Sequence, residues 1–144
     1  MTHKQMWQSF SGMTGTEADY DAWAFGCDSD ELARLVLEGR KTATAGLHFW
    51  YERERLNLPK EGSCSVVLDT KGNAVCIIKT TKVSVLPFCE VCAAHAWKEG
   101  EGDRSLDYWR RVHEDFFSRE LAEIGMPFSP KMEVVCEEFI RVYP

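Results

Sequence analysis

The chain has 144 residues, of which 44% are hydrophobic and 28% are charged, a balance typical of a single globular domain over residues 1–144. Its 23 acidic residues against 17 basic ones give a formal net charge of −6, which argues against duplex DNA as a partner, because duplex binding depends on a basic surface. A small cationic pocket for a nucleoside or a single strand is compatible with this charge. No apolar run approaches membrane-spanning length and the N-terminus lacks a secretory signal, so we expect a cytoplasmic protein with no membrane partner.

Predicted helices and strands are interspersed along the chain. The run from Thr2 to Gln5 has the form of a capping box and begins a first helix, which a glycine-punctuated loop over residues 11–16 should end. The further predicted elements are a strand over 20–26, a helix from 28 or 29 to 39, a strand over 42–45, a helix over 47–56, strands over 65–69 and 74–86 joined as a hairpin, helices over 88–97 and from 103 or 105 to 123, and a strand over 132–143. The hairpin and the strand lengths favour an antiparallel or mixed sheet, so we predict an α+β fold built around a small barrel or a strongly curved sheet.

Two adjacent cations and two hydroxyls follow the end of the second predicted helix. Gly39 suits the closing position of that helix, and Arg40 comes directly before Lys41. A neighbouring like charge and burial both disfavour an ammonium ion, so Lys41 is a candidate general base beside Thr44. In an extended strand these two side chains would point to opposite faces, so a turn or bulge near Thr42 would have to bring them together. A solvated basic turn at a helix end is the simpler alternative.

A second stretch of interest has three acidic residues separated by single glycines. Like charges as close as Glu99, Glu101 and Asp103 repel one another, and a helix cap explains only Asp103. The other uses are a carboxylate that orients or protonates a reacting group, or oxygen ligands for a divalent cation. His113 follows as a candidate proton shuttle, with a hydrogen-bonded core histidine as the alternative. We expect this acidic stretch to face the cationic one.

The two stretches together resemble those of a known family. Gly39-Arg40-Lys41-Thr42-Ala43-Thr44 is similar to the G-x-K-T-x-T signature of ASCH domains. The run Glu99-Gly-Glu-Gly-Asp-Arg-Ser-Leu-Asp-Tyr-Trp109 resembles the E-G-E-G-D-x-S-L-x-Y-W block of the longer, bacterial branch of that family. This resemblance, which covers nearly the whole chain, implies a PUA-like β-barrel flanked by helices, with a cleft that accepts RNA or a nucleoside.

The resemblance also implies an activity. A small bacterial relative is an amidohydrolase that removes acetyl from acetylated cytidine, and its lysine, threonine and glutamate correspond to Lys41, Thr44 and Glu99. We therefore expect a hydrolase of an acylated pyrimidine nucleoside that needs no cofactor, in which neutral Lys41 activates Thr44 or a water, and Glu99 positions the lysine and later protonates the leaving amine. Arg40 or backbone amides would stabilise the oxyanion, and Trp50 or Tyr51 would stack the base. The expected substrate-binding residues are Arg40, Thr42, Trp50, Tyr51, Arg104 and Ser105.

Two alternatives come from the same family. A longer relative is similar to a metal-assisted ribonuclease acting on single-stranded RNA, in which Lys41 and Arg104 would stabilise phosphate charge while Glu101 and Asp103 held a divalent ion. In the other alternative the protein is a non-catalytic RNA-binding module, whose cations grip phosphates and whose aromatic side chains stack bases. The sequence does not indicate an oligomeric state.

Overall fold

The computed structural model describes all 144 residues of the chain. Five strands and five α-helices succeed one another, with one 3-10 helix at residues 88–90. The elements are α1 (His3–Thr14), β1 (Tyr20–Ala24), α2 (Ser29–Leu37), β2 (Ala43–Leu47), α3 (His48–Arg53), β3 (Cys64–Leu68), β4 (Ala74–Pro87), α4 (Ala93–Glu99), α5 (Leu106–Ala122) and β5 (Glu133–Tyr143). No helix combines the length and the apolar character that crossing a membrane requires.

The strands form one sheet in the order β1-β3-β4-β5-β2. Strand β1 pairs with β3 in parallel, and the other three pairings are antiparallel, so the sheet is mixed. The long strands β4 and β5 pair along most of their length, and the register shifts near Ile77 and again between Thr80 and Lys82. Such irregularities increase the bend of a strand pair and help the sheet to curl. The predicted α+β class with a mixed, strongly curved sheet is confirmed.

Several predicted bounds were wrong, and three of the differences are the largest. Helix α1 runs through Gly12 to Thr14, because a single glycine inside a helix lowers its stability by only about 1 kcal/mol. Helix α3 ends at Arg53 rather than at residue 56. The predicted helix over 88–97 is two elements, because buried Val91 has an extended backbone between the 3-10 helix and α4.

Apolar side chains form three clusters around the sheet. One lies between helices α4 and α5 and one face of β2 and β5, with Trp109 and Phe117 among its members. A second is covered by α2 and includes Phe25 and Phe139. The third is the contact of α1 with strands β3 and β4. Along the chain, the cationic stretch connects α2, which covers the second cluster, to β2, which contributes to the first.

Backbone hydrogen bonds hold this stretch in place at both ends. Gly39 closes α2 with a φ of 76°, as predicted, and the amide of Lys41 donates to the Leu35 carbonyl oxygen at 3.1 Å. The amide of Thr42 donates to the Lys98 carbonyl oxygen at 2.7 Å, which ties the start of β2 to the last turn of α4. The ends of α2 and α4 therefore meet at Lys41.

Candidate functional site

Lys41 lies at the centre of the candidate site, with only 1% of its side chain exposed. Its Nζ atom donates to Glu99 Oε1 at 3.2 Å and to Glu101 Oε2 at 3.0 Å. The same atom lies 5.3 Å from the centre of the Phe25 ring, an attractive cation–π distance. The structure thus brings the cationic and the acidic stretches of the sequence into direct contact.

Both oxygens of Glu99 are occupied by protein groups. Oε2 accepts hydrogen bonds from Trp109 Nε1 at 2.6 Å and from His95 Nε2 at 2.7 Å. Oε1 accepts the bond from Lys41 and lies 3.5 Å from His113 Nε2. Three hydrogen bonds and the nearby His113 ring thus surround the carboxylate and leave little room for a further molecule. The side chain is 1% exposed.

The charges of this cluster shift the pKa values of its members. Burial by itself would raise the pKa of Glu99, but Lys41 and His113 outweigh burial and hold that pKa well below its usual range. Burial opposes the charged form of His113 as well, yet the Glu99 carboxylate prevails and raises the His113 pKa. At 3.5 Å the contact between these two side chains is long for a hydrogen bond, so their attraction is mainly Coulombic.

Glu101 differs from Glu99 in its access to solvent. Its Oε2 atom accepts the bond from Lys41, and its Oε1 atom has no hydrogen-bond partner in the protein. The Glu101 side chain is 17% exposed, so the cluster reaches solvent at this residue.

The glycines on either side of Glu101 allow a close approach of two loops. A Cβ atom on Gly100, whose φ is 73°, would lie 2.2 Å from the Arg40 carbonyl oxygen, and a Cβ atom on Gly102 would lie 2.5 Å from the Tyr108 ring. The Arg40 guanidinium donates to the carbonyl oxygens of both glycines, at 2.7 and 2.8 Å. Arg40 therefore holds the acidic loop against the cationic one.

The neutral amine expected at Lys41 is not what this geometry favours. The like charge of Arg40 was expected to disfavour the ammonium form, but the Arg40 guanidinium is bonded to backbone carbonyl oxygens. Two carboxylates contact Lys41 Nζ instead, and an ion pair with them requires the ammonium form.

Three other predicted site residues make local structural contacts. Ser105 caps α5 by accepting a hydrogen bond from the Tyr108 amide, and Asp103 Oδ1 accepts from the Ser105 amide at 2.9 Å. Hydrogen bonds from the side chain and the backbone of Ser105 lower the pKa of Asp103, which is exposed. The Thr42 hydroxyl donates to the Lys98 carbonyl oxygen at 3.3 Å. A substrate contact by any of the three stays a prediction.

Thr44 is not among the hydrogen-bond partners of Lys41 or Glu99. It lies on β2 directly opposite Glu137 of β5. Glu137 is buried and accepts a hydrogen bond from the Thr80 hydroxyl at 2.5 Å. The residue predicted as nucleophile therefore lies opposite a residue whose carboxyl group is also buried, and the role of Thr44 in catalysis stays a prediction.

The two predicted stacking residues, Trp50 and Tyr51, and a third aromatic residue, Trp97, have different surroundings. Trp50 packs against the first apolar cluster, and Tyr51 is half-buried with a pKa raised by burial. Trp97 is 57% exposed, and the Arg104 guanidinium lies 3.6 Å from the centre of its ring. Arg104 Nε also donates to the Trp97 carbonyl oxygen at 2.9 Å, which fixes the stack. The exposed aromatic surface beside the acidic loop is thus that of Trp97.

A divalent cation does not fit the cluster as it stands. Glu99, Glu101 and His113 each have one ligand atom within 4.8 Å of the others, which is a spacing that a metal site has. The Lys41 ammonium, however, lies between the two carboxylates and already compensates their charge. A metal ion would have to displace it, and Asp103, a predicted ligand, is directed into its own turn.

Two surface pockets lie near these elements. One of about 280 Å³ lies behind the acidic loop, where Arg34, Arg40, Gly100 and Gly102 are among its lining residues. The other, of about 560 Å³, is lined by residues that include Lys79, Thr80 and Ile140. Neither is lined by Lys41, Thr44 or Glu99.

Sequence reasoning missed two groups that contact Glu99, namely His95 and Trp109. His95 and Glu99 are four residues apart on α4, and Trp109 and His113 have the same spacing on α5, so each pair shares a helix face. That spacing was the available signal. It did not reveal that the two faces meet at one carboxylate, because the contact joins different helices.

Comparisons with known proteins give a consistent result. The family profile of the ASCH domain matches residues 21–143. An ASCH domain from Lactobacillus crispatus JV V101 has a TM-score of 0.90 to this chain at 32% identity, with 98% of this chain and 94% of that one covered. A protein from Enterococcus faecalis V583 has a TM-score of 0.90 at 36% identity, with 97% and 87% covered. No curated protein matches the sequence.

These matches extend over almost the whole chain. The curled five-stranded mixed sheet with its flanking helices is the PUA-like fold of ASCH domains, as expected, and that fold is generally linked to RNA binding. The chain therefore belongs to the ASCH domain family.

Proposed function

We propose that the protein is a hydrolase of an acylated pyrimidine nucleoside and that the cluster around Lys41 is its reaction centre. The observation that carries this proposal is the meeting of five ionisable side chains at one place, four of them buried and the fifth, Glu101, 17% exposed. Burying and pairing charges seldom adds to the stability of a fold, whereas active sites use it to set protonation states. The five residues are Lys41, His95, Glu99, Glu101 and His113.

In this proposal Lys41 acts in its ammonium form. When water or Thr44 attacks the acyl carbonyl carbon, negative charge develops on the carbonyl oxygen, and a buried ammonium stabilises it strongly. A carboxylate of the cluster accepts the proton of the nucleophile and returns it to the leaving amine. For Thr44 to be the nucleophile, its hydroxyl must come within reach of this cluster, since none of its hydrogen bonds connects it to Lys41.

The exposed indole of Trp97 is the best candidate for stacking the pyrimidine. Its surface lies beside the loop that carries Glu101, and the stacked Arg104 guanidinium adds positive charge there. Trp50, whose ring packs against the apolar cluster, is less suited to this role.

The test is the conversion of N4-acetylcytidine to cytidine, and chromatography measures the cytidine that is released. Lys41→Met keeps the apolar stem and removes the charge, so we expect the rate to fall at least about 100-fold. Glu114→Gln, an exposed residue on α5, is the matched control and should retain the wild-type rate. Circular dichroism of the variants checks that they are folded. Wild-type protein that is no faster than Lys41→Met overturns the proposal.

A metal-assisted ribonuclease is the second candidate. The spacing of Glu99, Glu101 and His113 favours it, and the ammonium of Lys41 between the two carboxylates opposes it. Cleavage of labelled single-stranded RNA that requires Mg²⁺ or Mn²⁺ and stops with a chelator would select this function. RNA binding without turnover of either substrate would select the third possibility, a binding module.

A further inference from the structure

The two carboxylates that contact Lys41 have different surroundings. We propose that Glu101 is the carboxylate that exchanges protons with the substrate and that Glu99 is a positioning residue, an inference that rests on the hydrolase function proposed above. The sequence resemblance assigned the proton transfer to Glu99. The hydrogen bonds and the exposure of the two side chains support the opposite assignment.

Protein groups contact both oxygens of Glu99 and leave little room for a substrate. Trp109 and His95 contact one of its oxygens at 2.6 and 2.7 Å, and Lys41 and His113 contact the other. To receive a proton, the carboxylate would first have to give up at least one of these charge-assisted contacts, each of which stabilises its ionised form. With 1% of the side chain exposed, a substrate atom does not reach it without a rearrangement of α4 and α5.

These same contacts suit Glu99 to a positioning role. The indole and imidazole groups fix the carboxylate, and the carboxylate in turn fixes the ammonium of Lys41 at 3.2 Å. An electrostatic stabiliser works best when it does not reorganise during the reaction, and neighbours locked in this way provide that rigidity.

Glu101 has the access that Glu99 lacks. Its Oε1 atom has no partner in the protein, and 17% of the side chain is exposed. The residues on either side are glycines, so no neighbouring side chain along the loop covers the carboxylate. Its other oxygen lies 3.0 Å from Lys41 Nζ, so a carbonyl group that reaches Glu101 is also near the ammonium.

The reaction is balanced with Glu101 as the only proton carrier. The Glu101 carboxylate takes a proton from water as the water oxygen forms a bond to the acyl carbon, and the carbonyl oxygen becomes an oxyanion at the Glu101 edge of the cluster, where the charge of Lys41 stabilises it. When the oxyanion re-forms the carbonyl, the C–N bond breaks and the protonated Glu101 gives its proton to the leaving nitrogen. The products are the carboxylic acid and the free cytosine amine, and Glu101 is again a carboxylate.

The experiment compares the two carboxylates with N4-acetylcytidine as substrate. In Glu101→Gln we expect kcat to fall at least about 100-fold while KM changes less than about threefold, because proton transfer is lost and the fold is kept. In Glu101→Ala, added formate should raise the rate of the variant at least about tenfold, because the site is open to solvent. In Glu99→Ala, formate should restore nothing, because no path leads to the buried position. Glu114→Gln controls for the removal of an acidic residue.

The outcomes separate this inference from the proposed function. Active wild-type protein with rescue of Glu101→Ala alone supports the inference. Active wild-type protein in which Glu101→Gln keeps its kcat, or in which formate rescues Glu99→Ala and not Glu101→Ala, overturns the assignment and leaves the hydrolase function standing. Wild-type protein that does not release cytidine overturns both.

Discussion

Two buried glutamates of this protein have opposite electrostatic characters. Glu99 and Glu137 are 1% and 7% exposed, respectively. Burial would raise the pKa of Glu99, but Lys41 and His113 lower it far below its ordinary value. Burial also acts on Glu137 and is not overcome there, so the pKa of Glu137 is raised.

The difference comes from the partners and not from the depth of burial. Glu137 receives one hydrogen bond, from the hydroxyl of Thr80, and Asp21 adds repulsion. A neutral hydroxyl offsets little of the cost of burying a negative charge, whereas cations in contact offset much of it. Glu99 therefore belongs to a charged centre, whereas burial dominates at Glu137 and raises its pKa. The following predictions test this difference.

The largest effect is expected for Glu99→Gln. Removing one partner of a buried ion pair leaves the other without compensation, which costs about 3 kcal/mol or more of the free energy of unfolding. Urea denaturation at pH 6 measures the loss. Because the pKa of Glu99 is lowered, its contribution is present above pH 4.5 and is lost as the pH falls through its folded-state pKa, so the difference between wild type and variant should narrow only in acid.

Glu114→Gln is the matched control for that variant. It removes an exposed carboxylate of α5 and should change the free energy of unfolding by less than about 0.5 kcal/mol. A Glu99→Gln variant as stable as this control would contradict the buried charged centre.

The second prediction concerns the loop that brings the charges together. In Gly100→Ala the new Cβ atom would lie 2.2 Å from the Arg40 carbonyl oxygen, at a backbone φ of 73°, so we expect a loss of about 1–3 kcal/mol. Gly12→Ala is the matched control, since Gly12 is inside α1 with no atom within 4 Å of the added Cβ. That variant should gain about 0.5–1 kcal/mol. Equal unfolding midpoints for the two variants would contradict the close approach.

The smallest effect is expected for Glu137→Gln. The amide oxygen of glutamine still accepts the Thr80 hydrogen bond, so the stability at pH 4 should change by less than about 1 kcal/mol. Because the pKa of Glu137 is raised, the stability that it contributes is present below pH 4.5 and is lost as the pH rises through its folded-state pKa. The variant should therefore gain stability relative to wild type between pH 4.5 and neutrality. A variant that loses stability over this range would show that Glu137 is stabilised as an anion.

Local signals in the sequence accounted for most of the fold. Hydrophobic periodicity and turn residues predicted the five strands and the five α-helices but not the separate 3-10 helix, with Gly39 at the end of α2 and Ser105 at the start of α5. The errors concerned where elements end. Helix α1 continues through Gly12, and the extended backbone of buried Val91 separates the 3-10 helix from α4. Signals of this kind work because each depends on neighbours within about one helical turn.

The site was foreseen in part. The two charged motifs indicated that Lys41 and Glu99 belong together, and the structure places them 3.2 Å apart. The sequence did not indicate that Glu101 shares Lys41, that His95 and Trp109 saturate Glu99, or that Thr44 faces Glu137. Those contacts join α4, α5 and three strands, and no local pattern specifies them.

The sequence by itself determined the family, the order of the elements and the two motifs that carry the charges. Only the tertiary structure decided which oxygen of which carboxylate meets which donor, and hence which groups are saturated and which remain open to solvent. The physical reason is that hydrogen-bond saturation and pKa depend on distances of about 3 Å between residues remote in the chain, and packing alone sets those distances.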